Sequence, residues 1–325
     1  MNAPRTRVQR RPVHGVLLLD KPLGLSSNQA LQKAKWLLQA EKAGHTGTLD
    51  PLATGVLPLC FGAATKFSQM HLDADKAYVA QLRLGTTTST ADAEGEVLRE
   101  RAVAVSLTQV EAVLQRFTGA LSQVPPMYSA LKKDGRALYE YARAGQEVER
   151  TPRAITVHRL RLLRAELAGA APTIEIAVDC SKGTYIRTLG EDIGEALGCG
   201  AHVSALRRIR TGGFGEAQTV SLQALEAMSP DERLASLMPP DGLLAGHALV
   251  TLDADNAARF LSGMRRRGDW PDADAVAVYA DASRTLLGTG HVKAGELIPG
   301  RLLSPLEIGQ YQAQMSLIEG SKLVV

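Results

Sequence analysis

At 325 residues, with 45% hydrophobic and 22% charged side chains, the chain has the make-up of a folded globular protein long enough for about two domains, which excludes a small scaffold, a disordered chain and a coiled coil. Its 37 basic and 34 acidic residues leave a net charge of only +3, but the basic ones cluster: Arg5, Arg7, Arg10 and Arg11 in the first stretch, then Arg207, Arg208 and Arg210, then Arg265–Arg267. Such patches suit either a polyanionic partner or ordinary solvated surface, while the lack of an apolar run of about 18 residues or of a secretory core argues against a membrane and for the cytoplasm.

In chain order, Val13–Leu19 reads as a buried strand that stops at Asp20-Lys21-Pro22, with Gly24 in the turn. A helix follows, capped by Ser26 or Ser27, with Ala30, Ala34, Leu37 and Leu38 on its buried face and Gly44 at its end. The glycine-rich GHTGTLDPLATG then predicts a polar loop ahead of an apolar strand or buried turn over Gly55–Phe61. Alternation over Lys76–Leu84 puts Tyr78, Ala80, Leu82 and Leu84 on one side of a half-buried strand. Thr108 with Glu111 predicts a capping box for a helix burying Val110, Val113, Leu114 and Phe117. Val124–Arg150 mixes prolines, tyrosines and basic residues without a core face, as an exposed excursion would.

Strands are predicted again at Ile155–Leu163, Thr173–Val178 and Val203–Ile209, with a helix over Thr184–Leu197 closed by Gly198 and Gly200. From about Ala245 short β-like runs with one helix near Ala257–Leu261 suggest a small separate β-rich domain. Hairpin-like strands with interspersed helices favour an α+β core over a doubly wound fold.

Most chemical motifs are missing. There is no phosphate loop, dinucleotide fingerprint, His-Glu-x-x-His or nucleophile elbow. The three cysteines, Cys60, Cys180 and Cys199, have no Cys-x-x-Cys spacing and read as buried thiols in a reducing compartment. What remains is Asp50, in a loop with His45, Thr46 and Thr48. Asp-Pro is a common turn initiator, yet a carboxylate on a rigid loop between packed elements is also where chemistry is often placed. Arg187 by itself reads as a helix residue and gains meaning only if it meets Asp50.

The blocks HTGTLDPLATGVL, Lys76-Ala77-Tyr78, PPMYSALKKDGRALYEYARAG, CSKGTYIRTL and LGCGAHVSALRR, in that order between about Val13 and Gly213, resemble the TruB family of tRNA pseudouridine synthases. The resemblance implies a pseudouridine synthase fold: a central mixed, largely antiparallel sheet flanked by helices, plus a small C-terminal β-rich PUA-like domain. The implied division is a basic tail over 1–12, a catalytic domain over 13–245 with an RNA-gripping insertion at about 124–152, and a PUA-like RNA-binding domain over 246–325.

The implied reaction isomerises uridine to pseudouridine at position 55 in the T loop of tRNA, by base flipping and by breaking and re-forming the glycosidic bond, with no metal and no cofactor. The resemblance makes Asp50 the catalytic aspartate, Arg187 its arginine partner and Tyr78 the residue packed on the flipped base, near which the C5 proton leaves. His45 would occupy space vacated in the RNA loop, Tyr185 and Leu206 would line the uracil pocket, and Lys132, with Lys133 and Arg136, would grip the T arm. Lys21-Pro22 would buttress the active-site loop, Asp92 would face substrate, and Arg207, Arg208 and Arg210 would extend the basic surface. The insertion implies a stand-alone monomer acting without guide RNA or an obligatory protein partner. Two alternatives are a non-catalytic tRNA-binding or folding factor of the same fold, and a nucleoside glycosidase, which would call for a second carboxylate or a metal-bound water.

Overall fold

The computed structural model describes residues 9–281 and 284–322; Arg5 and Arg7 lie outside them. Its centre is a ten-stranded sheet. The principal order runs Val220–Ser221, Gly15–Lys21, Ala53–Phe61, Ala201–Thr211, Lys76–Leu84, Thr173–Cys180, Arg153–Glu166, Gly119–Gln123. Only two neighbouring pairs along that order are parallel, Gly15–Lys21 with Val220–Ser221 and Ala53–Phe61 with Ala201–Thr211. The sheet is therefore mixed and largely antiparallel, and the protein is of the expected α+β class.

The alternation in Lys76–Leu84 has the expected effect: Tyr78, Ala80, Leu82 and Leu84 are all buried in the main core. Helix Ile186–Ala196 lies against this face. Gly190 and Gly194 permit the close approach, because a Cβ there would stand 2.8 Å from Leu82 Cδ2 and 2.2 Å from the Ala201 nitrogen. Gly55 plays the corresponding part between strands. Its φ is +100°, and a Cβ would fall 2.2 Å from the Arg208 carbonyl oxygen, so the strand that leads out of the Asp50 loop can pair closely with Ala201–Thr211.

Helix Ser27–Leu37 is capped by Ser26, whose hydroxyl accepts from Gln29 N–H while Gln29 Oε1 accepts from Ser26 N–H. It ends at Leu37, with Gln39 at φ +53° turning the chain. Gly44 is not its terminator but sits inside the short strand Ala43–His45. Helix Leu107–Arg116 buries Val110, Val113 and Leu114 as expected, but its capping box is Ser106 with Gln109 rather than Thr108 with Glu111. Both pairs have the right spacing, and the earlier one satisfies the exposed first-turn amides without moving the apolar stripe. Cys60, Cys180 and Cys199 are free and buried.

A second, five-stranded sheet runs Ala248–Leu252, Ala273–Ala280, Leu286–Lys293, Glu296–Leu302, Arg266–Arg267. Helix Ala254–Leu261 covers it through Phe260. The helix Pro305–Lys322 has no counterpart among the sequence expectations, since PLEIGQYQAQMSLIEGSK shows no continuous apolar stripe. It docks through scattered apolar contacts of Ile308 and Ile318 together with polar ones. Gln314 accepts from the His14 N–H at 2.9 Å and donates to the His14 carbonyl at 2.8 Å, and Lys66 pairs with Glu307 at 2.6 Å. Among the described residues no helix is long and apolar enough to cross a membrane.

Candidate active site

Asp50 lies in the loop between strands Ala43–His45 and Ala53–Phe61, and Arg187 in the first turn of helix Ile186–Ala196. The sheet brings the two together: Arg187 Nε stands 2.9 Å from Asp50 Oδ2. The arginine side chain is 5% exposed and the aspartate 39%, so the carboxylate opens to the cavity while its partner is anchored behind it.

Arg187 is held by more than Asp50. Its two terminal nitrogens donate to the Thr90 carbonyl at 3.1 Å and the Tyr128 carbonyl at 2.6 Å. Its Nε also lies 3.6 Å from Asp92 Oδ2, a carboxylate that is only 3% exposed. Asp92 was expected to face substrate. It lines a cavity together with Asp50 and Arg187, is fixed by the Thr90 hydroxyl and the Glu94 amide, and completes an acid–arginine–acid row.

Protein atoms around Asp50 push its pKa above the ordinary carboxylate value. Arg187 and Lys21 pull it down, and Asp92 pushes it up. Lys21 is buried, and its ammonium donates to the Pro22, Leu25 and Pro51 carbonyls. This ties the end of the first strand to the residue after Asp50, as the expected buttress should. Burial lowers the Lys21 pKa to about 8, against an opposing pull from Asp50.

A cavity of about 490 Å³ contains Asp50, Tyr78, Tyr185, Arg187 and Leu206 in its wall. A second of about 480 Å³ shares Asp50 and Arg187 and adds His45, Asn28, Tyr139 and Arg143. Burial raises the Tyr78 and Tyr185 pKa values and lowers that of His45, keeping all three in their neutral forms near neutral pH. Lys132 lies in neither cavity. It is exposed on the small hairpin Lys132–Lys133/Arg136–Ala137, ahead of helix Leu138–Arg143. Among the described residues no group of three or more His, Cys, Asp and Glu side chains could hold a metal.

Two contacts escape the sequence patterns. Gln123, buried at the end of Gly119–Gln123, accepts from the Tyr185 N–H at 2.8 Å and donates to its carbonyl at 3.0 Å. Tyr185 precedes the helix with no side-chain cap, so Gln123 supplies backbone partners at the point where Tyr185 and Arg187 enter the cavity. Gln123→Leu should cost about 1–3 kcal/mol by leaving those groups unpaired, and should slow turnover through misplacement of Tyr185. A thermal melt and a single-turnover rate measured together check both effects.

Arg208 is the second, and it corrects an expectation. It is not surface but 2% exposed, among the largest fully buried side chains. Leu206 and Arg208 face the same side of their strand, so their alternation was the available signal. Its neighbours are occupied otherwise: Arg207 pairs with Asp20 and Glu216, and Arg210 with Asp179.

A mixed sheet of this topology, with a loop aspartate held by a helix arginine beside two cavity tyrosines, belongs to a chain that comparison with known proteins makes a pseudouridine synthase. Three family models match consecutive parts of the chain: TruB family pseudouridylate synthase, N-terminal domain, over 35–186; tRNA pseudouridylate synthase B C-terminal domain over 187–245; and pseudouridine synthase II TruB, C-terminal, over 248–303. The chain belongs to the TruB family. A tRNA pseudouridine synthase B from Verminephrobacter eiseniae is 65% identical over 314 residues, covering 96% of this chain and 95% of that protein. One from Ralstonia nicotianae is 59% identical over 299 residues, covering 90% and 95%. Among solved structures, one chain of a Cbf5-Nop10-Gar1 complex matches with a TM-score of 0.64 at 28% identity, covering 91% of this chain and 80% of that one. A chain from an H/ACA RNP bound to a substrate RNA shares the fold, with a TM-score of 0.66 at 24% identity, covering 91% and 86%.

Proposed function

We propose that this enzyme, an isomerase, converts uridine to pseudouridine in tRNA, at position 55 of the T loop, using Asp50 as its one catalytic carboxylate. The observation that carries the reading is the 2.9 Å Asp50–Arg187 pair in the wall of a cavity that also holds Tyr78, Tyr185 and Leu206. The relatives named tRNA pseudouridine synthase B support the substrate class.

The reaction balances within the nucleotide. The N1–C1′ bond breaks, the uracil turns, a C5–C1′ bond forms, C5 loses a proton and N1 gains one. Asp50 serves either by attacking C1′ or by removing the 2′ proton, and in both cases it must be ionised. Because its pKa is raised, activity should fall on acidification at a pH above the usual carboxylate range. Flipping the stacked uridine out costs a few kcal/mol, which stacking on Tyr78 and packing against Tyr185 and Leu206 offset. His45, in the second cavity, is placed to enter the space vacated in the RNA loop.

The hairpin carrying Lys132 and the helix behind it are the proposed grip on the T arm. Lys133 is engaged with the Glu149 carbonyl, so Lys132 is the side chain to alter. Lys132→Ala should weaken tRNA binding and lower the slope of log Kd against log salt by about 1. A slope equal to that of the wild type would remove Lys132 from the interface. We place the catalytic domain at 13–245 and a PUA-like RNA-binding domain at 246–325. The protein acts as a monomer in the cytoplasm, without guide RNA or partner protein.

Carbodiimide treatment and primer extension on an unmodified tRNA transcript test the position. A single enzyme-dependent stop at position 55 is expected. A stop elsewhere would overturn the T-loop assignment.

A further inference from the structure

The buried Arg208 has no carboxylate partner among the described residues. Its Nε donates to the Val56 carbonyl at 2.7 Å, and a terminal nitrogen reaches the Gly47 carbonyl at 3.5 Å, three residues before Asp50. It stands directly across the ladder from Tyr78 on Lys76–Leu84 and from Gly55 on Ala53–Phe61. The phenol of Tyr78 is the group that favours its charged form. A guanidinium cannot shed its proton, and after burial its charge further lowers the pKa values of Lys76, His71 and His45. A buried cation without a counter-ion is costly. A site built around one favours the ionised form of the phenol that faces it.

We propose that Arg208 is a positioning residue for the isomerisation, which holds the Tyr78 hydroxyl at the uracil cavity and stabilises negative charge on its oxygen. The proposal rests on the isomerase reading above. The phenolate takes the C5 proton, the C5–H electron pair restores conjugation in the base, and the charge passes to N1. N1 then takes a proton from water, and the hydroxide formed restores the phenolate. The groups acting on Tyr78 are Arg208 from Ala201–Thr211, Cys180 from Thr173–Cys180 and Asp50 from the loop. Burial raises the Tyr78 pKa and Arg208 opposes it. Cys180 is itself pushed up to about 11 by burial and stays a neutral thiol.

The test is single-turnover tritium release from tRNA carrying 5-tritiated uridine, followed against pH with tRNA Kd and melting temperature alongside. Arg208→Gln should slow release about ten-fold or more, leave Kd unchanged, and move the upper limb, on which release rises with pH, to higher pH. Arg208→Lys keeps the cation and should retain the wild-type limb at a reduced rate. In a Tyr78→Phe background, Arg208→Gln should add no further loss. The same fold-loss in both backgrounds, or an unmoved limb in Arg208→Gln, would overturn the proposal. 3-Fluorotyrosine at position 78, with Arg208 intact, decides the matter should Arg208→Gln not fold: its more acidic phenol should move the limb to lower pH, and an unmoved limb contradicts us. No release from the wild type would sink the isomerase reading itself, whereas wild-type release with unaffected Arg208 variants would sink only this inference.

Discussion

Asp50→Asn should reduce pseudouridine formation by about 10²–10⁴-fold or more, the scale of a positioned acid–base group, while tRNA still binds. The amide is close in size to the carboxylate and can remain near Arg187 Nε, so the cavity keeps its shape. What it loses is the negative charge and basicity that both routes at C1′ or the 2′ carbon require. Asp50 is the open end of the acid–arginine–acid row, at 39% side-chain exposure, so its replacement should leave the melting temperature nearly unchanged. A quench-flow turnover with a filter-binding Kd separates the two properties. Loss of binding in proportion to activity would mean that Asp50 holds RNA rather than reacting with it.

The second large effect belongs to Arg187. Its side chain meets Asp50, Asp92, the Thr90 carbonyl and the Tyr128 carbonyl from a position 5% exposed. Arg187→Met removes the partner of the buried Asp92 and should destabilise the protein by about 3–5 kcal/mol. It also removes the main influence that lowers the Asp50 pKa, so that value rises further and the acid limb of the rate profile moves to higher pH. The sign for stability follows. A carboxyl whose pKa is higher in the folded than in the unfolded chain binds more protons when folded, so stability falls as pH rises between the two values. The deficit of Arg187→Met should therefore be smaller at pH 5 than at pH 7.5 in denaturant titrations. Arg187→Lys keeps one charge but cannot reproduce the planar fork, and should recover part of the stability and little of the rate.

The parts of the fold that were legible in the sequence are those with an unbroken period. Lys76–Leu84 alternates cleanly and is buried accordingly, and the stripe of Val110, Val113 and Leu114 marks its helix even though the cap lies two residues earlier than Thr108. The Pro305–Lys322 helix was not legible because it docks through isolated apolar residues, Ile308 and Ile318, and through Gln314 and Glu307, without a continuous apolar stripe.

At the site, composition and spacing alone left Asp50 as a turn residue or an acid. The resemblance of its surrounding blocks singled it out, and the fold then placed Arg187 beside it. Gln123 could not be read in the same way, and Asp92 was singled out without its contact to Arg187, since each acts through a partner far away in the chain, 62 and 95 residues on. Arg208 was misread for a different reason. Three arginines within four residues look like a surface patch, whereas the strand alternation that puts Arg208 inward with Leu206 is interrupted by irregularities on both sides.

The most direct test of the central claim uses unmodified tRNA with 5-tritiated uridine, the wild-type protein and its Asp50→Asn variant, in excess chelator and without added nucleotide. The account predicts that the wild type releases tritium from the single target uridine of each tRNA, and that the variant binds the same tRNA and releases none. Tight binding with no release from the wild type would contradict it, and would make this chain an RNA-binding protein that has kept the pocket without the chemistry.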